Sequence, residues 1–241
     1  MNSIPTRKSS VLNNDRTIQF LSSVPLLADL SLETMDHIGE AATVVHVKRN
    51  RPVWQSGQTA DAVYFLRTGV IREHVSGPDD RETTIGIYAR RTMIGLTGAI
   101  ADNTWFTTAV AHEDSTLYKV PTKAVIKLVE NDRLFSTVLT AQLFEQLKRA
   151  QLFTPNMLNN SAQSRLAEVL LELANDFSIN DSRGTIINIK LTHRIIATMT
   201  GTTRETVSFA ILDLRKKGLI KNDGKRFIIV DMKALRAIAT S

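Results

Sequence analysis

The chain contains no cysteine. That removes disulfides, iron–sulfur clusters and thiolate metal sites together, and leaves a protein indifferent to a reducing compartment. No apolar run approaches the ~18 residues that span a bilayer, and the first fifteen residues are polar. A soluble, cytoplasmic protein with no membrane partner is expected. Enzyme signatures are missing too: there is no glycine-rich phosphate loop of the Walker type, no nucleophile elbow and no His-Glu metal motif. Asp and Glu are scattered without a nucleophile–base pairing, so no enzyme is expected. His37, His46, His74, His112 and His193 form no short-range ligand pair, and no metal is assigned. The sequence shows no internal repeat and no low-complexity stretch.

What is present fits two domains. At 241 residues, 43% of them apolar, the chain can bury a core in each. Its net charge of +6 admits an anionic partner without requiring one. Between Ile186 and Arg226, however, nine basic residues face three acidic ones, an excess as large as that of the whole chain.

From about Ala42 to Pro121, short runs rich in Val, Ile, Thr and aromatics ("TVVHV", "AVYFL", "TTIGIY", "WFTTAVA") alternate with turn signals ("QSGQ", "RTGV", "SGPDD", Gly95 to Gly98). This spacing predicts an antiparallel β-roll. After Pro121 the pattern becomes helical. "TKAVIKLVEND" reads as a short helix with Thr122 a candidate N-cap, and a second helix runs from Asp132 to Phe153, with Thr154 and Pro155 marking a break. The apolar side chains of this second helix, among them Leu134, Phe135, Val138, Leu139, Leu143, Phe144 and Leu147, cover most of its circumference. Such a helix needs partners on more than one side. The β-roll supplies one; a second copy of the same helix in a two-fold dimer supplies the other. A helix buried within a monomer satisfies the same pattern.

Beyond the break, "SRLAEVLLELANDF" is an amphipathic helix, "SINDSRGTIINIKL" a polar turn and a strand, and "THRIIATMTG" and "TTRETVSFAILDLRKKG" two further helices. "LIKNDGKRFIIVD" closes the series as two strands across an Asn-Asp-Gly-Lys turn. That order is a winged helix-turn-helix. The predicted fold is α+β in three segments: N-terminal helices and a β-roll (jelly roll) sensory domain over 1–121, a short helix, long dimerisation helix and hinge over 122–160, and a winged helix-turn-helix over 161–241.

With His193 as the first residue of the helix-turn-helix, Ala197 falls fifth, Gly201 ninth and Val207 fifteenth. The fifth must be small where two helices cross, the ninth must tolerate the backbone of the turn, and the fifteenth must be apolar to fill the angle between helices. Thr202 or Thr203 can cap the second helix, whose inner face is Val207, Ala210, Ile211 and Leu214. Thr203, Arg204, Thr206 and Ser208 are left exposed near its start, with Glu205 among them. Arg pairs with guanine O6 and N7, Glu accepts from cytosine N4, and hydroxyls and amides at a helix start bind phosphate. A solvated helix start with ordinary caps is the plainer alternative.

The stretch "LTHRIIATMTGTTRETVSFAILDLRKKGLI" resembles the C-terminal domain of the cyclic-AMP receptor and fumarate–nitrate regulator family of bacterial transcription factors. The β-roll, long helix and winged helix follow that family's order. The resemblance implies a homodimer bound to double-stranded DNA at an inverted repeat, with RNA polymerase and a small-molecule effector as further partners. Position by position, Arg204, Glu205 and Ser208 match residues that contact bases, while Thr192, His193, Thr203 and Thr206 match residues that contact the backbone or cap. Phe209 departs from the family, which usually carries there a second arginine directed at guanine. A signalling or scaffold module using the winged helix for protein contacts is the alternative, and would lack a salt-steep DNA affinity.

Family members that bind cyclic nucleotides carry a Gly-Glu pair ahead of a helical turn and an Arg-Ser or Arg-Thr after it, the Arg for the phosphate and the Glu for the ribose. Here the stretch reads "RTMIGLTGAIADNTWFTTAVA": Leu96 stands in place of the Glu, and Trp105, Phe106 and Thr107 occupy the region of the Arg. Cyclic AMP is therefore not expected. The arginine that some relatives use for 2-oxoglutarate is also replaced, by Trp105. Ile94, Gly95, Leu96, Trp105, Phe106 and Thr107 form the candidate effector region, suited to an apolar or aromatic ligand. The same residues serve equally as core with no ligand. Haem, a further option in the family, would need a single axial histidine here; no cofactor is assigned.

Overall fold

The computed structural model describes residues 15–77, 79 and 81–240. The polar N-terminal stretch ahead of Asp15, and Pro78 and Asp80 of the "SGPDD" turn, lie outside the described residues. Contacts divide the chain into two compact units: Gly86–Gln146 with the described residues up to Val75, and Ser76–Ile85 with the chain from Leu147 onward.

The strands between Thr43 and Pro121 form two four-stranded antiparallel sheets, with Ser76 and Glu82–Ile85 counted in the second unit. One has the order β1-β8-β3-β6, from β1 (Thr43–Val47), β8 (Ser115–Pro121), β3 (Ala62–Thr68) and β6 (Met93–Ile94). The other has the order β2-β7-β4-β5, from β2 (Pro52–Trp54), β7 (Thr108–Ala111), β4 (Ile71–Ser76) and β5 (Glu82–Tyr88). The unbroken apolar run "AVYFL" in β3 has a simple cause: both faces of this strand are covered. Ala62, Tyr64 and Leu66 enter the core between the sheets with Trp54, Ile71 and Ile94. Val63 and Phe65 point the other way, into a second core with Leu21, Met35, Ile38, Phe135 and Leu139.

That second core is built by helices. Residues 15–21 form α1, and α2 (Leu32–Ala41) is capped by Ser31, whose hydroxyl accepts from the Thr34 N–H at 3.1 Å. The helix α3 (Thr122–Asn131) begins directly after Pro121, and Thr122 is not its cap. The Thr122 hydroxyl instead donates to the Ala60 carbonyl at 3.0 Å, and its N–H to the Asp61 carbonyl, so the residue ties the helix start to the β-roll. Asp132 caps the long helix α4 (Arg133–Asn159), accepting from the Phe135 N–H at 2.9 Å. The hydroxyl of Thr34, followed by that N–H, holds the Asp132 carboxyl below the usual carboxylate range.

The expected break at Thr154 and Pro155 does not occur: α4 continues to Asn159, and the chain turns at Asn160 and Ser161. An internal proline removes one backbone hydrogen bond and crowds the preceding turn, a local cost that a long helix can absorb.

In the second unit, α5 (Ala162–Phe177) is capped by Ser161 and leads to β9 (Ser178–Asp181) and β10 (Gly184–Ile187). The sequence pattern gives one strand here; the structure has a hairpin, because Ser178–Asp181 pairs with β10 although all four of its residues are exposed. Next come α6 (His193–Thr200), α7 (Arg204–Lys216), β11 (Ile220–Asp223) and β12 (Arg226–Ile229). Their sheet has the order β11-β12-β10-β9. The chain does not end at the hairpin but in α8 (Met232–Ala239), capped by Asp231, whose Leu235 is fully buried. The buried residues of this unit include Leu166 and Leu170 of α5, Ile196 of α6, Leu214 of α7, Phe227 of β12 and Leu235 of α8. Among the described residues, no helix is long and apolar enough to cross a membrane.

Candidate nucleic-acid interface

The helix-turn-helix is assembled by short-range hydrogen bonds. Thr192 caps α6, its hydroxyl accepting from the Ile195 N–H at 3.2 Å. Gly201 closes the helix in the left-handed region, at φ 61°, and its N–H returns to the Ala197 carbonyl. A Cβ would be strained there, which is why the turn takes glycine. Of the two candidate caps for α7 it is Thr203 that acts, accepting from the Thr206 N–H at 3.2 Å. Thr202 instead shares a 2.9 Å hydrogen bond with the buried Thr200. Val207, Ala210, Ile211 and Leu214 are all buried and fix the inward face of α7.

The outward face carries Arg204, Glu205 and Phe209, all exposed, while Thr206 and Ser208 are half-buried. The Ser208 hydroxyl donates to the Arg204 carbonyl at 2.9 Å and lies 2.8 Å from Nδ1 of His193. Glu205 is held below the usual carboxylate range by its own backbone N–H and then by the Thr203 hydroxyl, with Arg204 adding to the effect. It is thus an ionised acceptor at the start of a helix. Arg204 forms no ion pair among the described residues, so its guanidinium is available for bidentate hydrogen bonding to an outside acceptor.

The wing is braced by charge and backbone. Arg183 pairs with Asp181 at 2.8 Å and with Asp223 at 3.2 Å, linking the β9–β10 turn to the end of β11. The Leu191 N–H donates to the Lys225 carbonyl at 2.8 Å, tying the wing's tip to the segment that enters α6. Near the end of α7, Lys217 pairs with Asp213 at 3.0 Å. The Arg183–Asp223 pair and the Leu191–Lys225 contact have no signal in the sequence pattern, because each joins residues far apart in the chain.

The candidate effector residues are dispersed within the first unit. Ile94 and Trp105 lie buried in the core between the sheets, whereas Leu96 belongs to the core beneath the helices. Phe106 is 56% exposed. The Trp105 ring stacks on Trp54 with centroids 4.3 Å apart, and Gly95, at φ 84°, leaves room for it: a Cβ there would come within 2.7 Å of the indole. Thr107 is buried, accepts from Trp54 Nε1 at 3.2 Å and donates to Glu73 Oε1 at 2.5 Å. Tyr88 Oη donates to the other Glu73 oxygen at 2.8 Å. Burial pushes the Glu73 carboxyl above its ordinary range, against the pull of both hydroxyls. Glu73 and Tyr88 are not found by sequence reasoning, although the two-residue period of a strand puts Glu73 on the same face of β4 as the buried Ile71.

This fold and interface define a transcription regulator with a β-roll and a winged helix-turn-helix, and comparison with known proteins agrees. Residues 44–132 match the cyclic nucleotide-binding domain family and residues 164–238 the Crp-like helix-turn-helix domain. The global nitrogen regulator of Synechococcus elongatus is 30% identical over 193 residues, 78% of this chain and 86% of the relative. That of Nostoc sp. is 27% identical over 186 residues, 76% of this chain and 82% of the relative. The solved structure of FixK2 from Bradyrhizobium japonicum shares the fold, with TM-score 0.74 at 21% identity, over 82% of this chain and 96% of that one. The chain belongs to the CRP/FNR family of transcription regulators.

Proposed function

We propose that the protein acts in the cytoplasm as a homodimer that binds an inverted-repeat operator in double-stranded DNA, with one α7 in the major groove of each half-site. The observation that carries this reading is the two-faced character of α7. Its inner side closes on the core through Val207, Ala210, Ile211 and Leu214, while Arg204 and Glu205 stand exposed in its first turn. In this reading Arg204 pairs with a guanine and Glu205 accepts from a cytosine N4, while Thr192, Thr203 and Thr206 lie against the phosphate backbone. Ser208 has given its proton to the Arg204 carbonyl, so it meets a base as an acceptor.

The second copy is supported by α4. Thr140, Leu143, Phe144 and Leu147 recur at helical spacing and are all exposed, a largely apolar stripe that a two-fold partner would cover. Two half-sites about one helical turn apart would match such a dimer. RNA polymerase is the partner such a regulator would meet at a promoter. For the β-roll we favour a signal other than a cyclic nucleotide: Leu96 and Trp105 are buried apolar residues where a carboxylate and a guanidinium would be needed.

Selection from random duplex DNA by the purified chain at about 0.15 M salt tests the reading. An inverted repeat should be recovered, with an affinity whose logarithm falls linearly with log salt. Recovery of no sequence, with no salt-dependent binding, would overturn it.

A further inference from the structure

The outer face of α7 holds one residue that neither the core nor a phosphate contact explains. Phe209 is 73% exposed, one turn beyond Glu205 and beside Ser208. Leu212, almost a turn further along, is also exposed, and Arg215 and Lys216 follow it. A phenyl ring 73% exposed among charges gains little from folding, so a complex is where it can act. The surrounding positive charge favours a polyanion over an apolar protein surface.

We propose that Phe209 is a specificity-determining residue that contacts the C5-methyl group of a thymine in each half-site. The proposal rests on the placement of α7 in the major groove. There, the thymine methyl is the one apolar group that a base pair presents at its edge. A phenyl ring set against guanine O6 and N7, or against the exocyclic amines of adenine and cytosine, would strip water from those groups and replace no hydrogen bond. Phe209 therefore selects by attraction for one base and by desolvation against the others. Its place in the half-site also follows. One helical turn advances about 5.4 Å and one base step about 3.4 Å, so the thymine lies within one or two base pairs of the pair read by Glu205.

The test uses the full chain and the duplex recovered by selection. Each thymine of the half-site is replaced in turn by deoxyuridine, which removes the methyl and keeps the base pairing. For the wild type, one position per half-site should weaken binding about fourfold, the value of one buried methyl group. Phe209→Ala should bind more weakly than wild type, with an unchanged salt slope, and should no longer respond to that substitution. Phe209→Arg should shift the selected base at that position to guanine. Because Phe209 is exposed, neither variant disturbs the core. A wild type that binds its operator with no thymine methyl detectable, or a Phe209→Ala variant that keeps the full methyl response, would overturn the proposal alone. Failure to recover any operator would instead overturn the DNA-binding placement beneath it.

Discussion

His193 Nδ1 lies 2.8 Å from the Ser208 hydroxyl, joining the first residue of α6 to the second turn of α7. Ser208 has one proton, and it goes to the Arg204 carbonyl at 2.9 Å. With the Ser208 proton on that carbonyl, the His193 tautomer that carries its proton on Nδ1 completes the pair. His193 thus aligns two helices through a hydroxyl that belongs to the reading surface.

His193→Ala should cost roughly 1 kcal/mol of stability, the net worth of one such hydrogen bond. It should also weaken specific DNA binding, because α7 loses a restraint on its angle. His193→Asn restores a donor at a similar reach and should recover most of the stability. Chemical denaturation alongside DNA titration checks both, and a His193→Ala variant as stable as wild type would remove the alignment role.

Arg204→Ala removes the exposed guanidinium from the start of α7. Binding to the selected operator should fall by roughly 1–3 kcal/mol, with specificity relaxed at one base pair and little change on random DNA. A uniform loss on every sequence would reassign Arg204 to a phosphate.

Phe144→Glu introduces a charge at the centre of the exposed stripe on α4. Phe144 is 65% exposed, so the isolated chain should keep its fold. Sedimentation should show a shift from dimer to monomer, and affinity for a full inverted repeat should drop to that for a half-site. A variant that remains dimeric would place the partner elsewhere.

Glu73 predicts a pH dependence of unusual sign for a carboxylate. Burial raises its folded-state value, whereas the unfolded chain ionises near the ordinary glutamate value of about 4.5. Below that pH both states hold the proton. As the pH climbs toward the folded-state value, only the unfolded state releases it, and stability is lost until the folded-state value is passed. Glu73→Gln has no such proton. Its unfolding free energy should gain on that of the wild type as pH rises from about 4, then run parallel; a difference that does not change with pH would rule out the buried acid as the cause. Carboxylates shifted the other way, such as Asp132, occur in both proteins and cancel in the comparison.

The parts of this fold that were legible in the sequence are those decided by near neighbours. Ala197, Gly201 and Val207 meet local demands of a turn between helices, and the structure has Gly201 at φ 61° and Val207 buried. The inner face of α7 followed from helical periodicity for the same reason. Where distant segments decide, the pattern failed. Thr122 looks like a cap until Ala60 and Asp61 are brought beside it. The polar cluster of the β-roll is the clearest case. Trp54, Glu73, Tyr88 and Thr107 are joined across sequence separations that no short window spans.

The stacked indoles of the β-roll also make the molecule an optical instrument. The chain has two tryptophans, and both, Trp54 and Trp105, belong to that one pair. None lies in the winged helix-turn-helix, so tryptophan emission and near-ultraviolet ellipticity of the indoles report the β-roll alone. A spectral change on adding operator DNA would therefore be a direct, label-free record of a signal reaching the β-roll from the DNA-binding end.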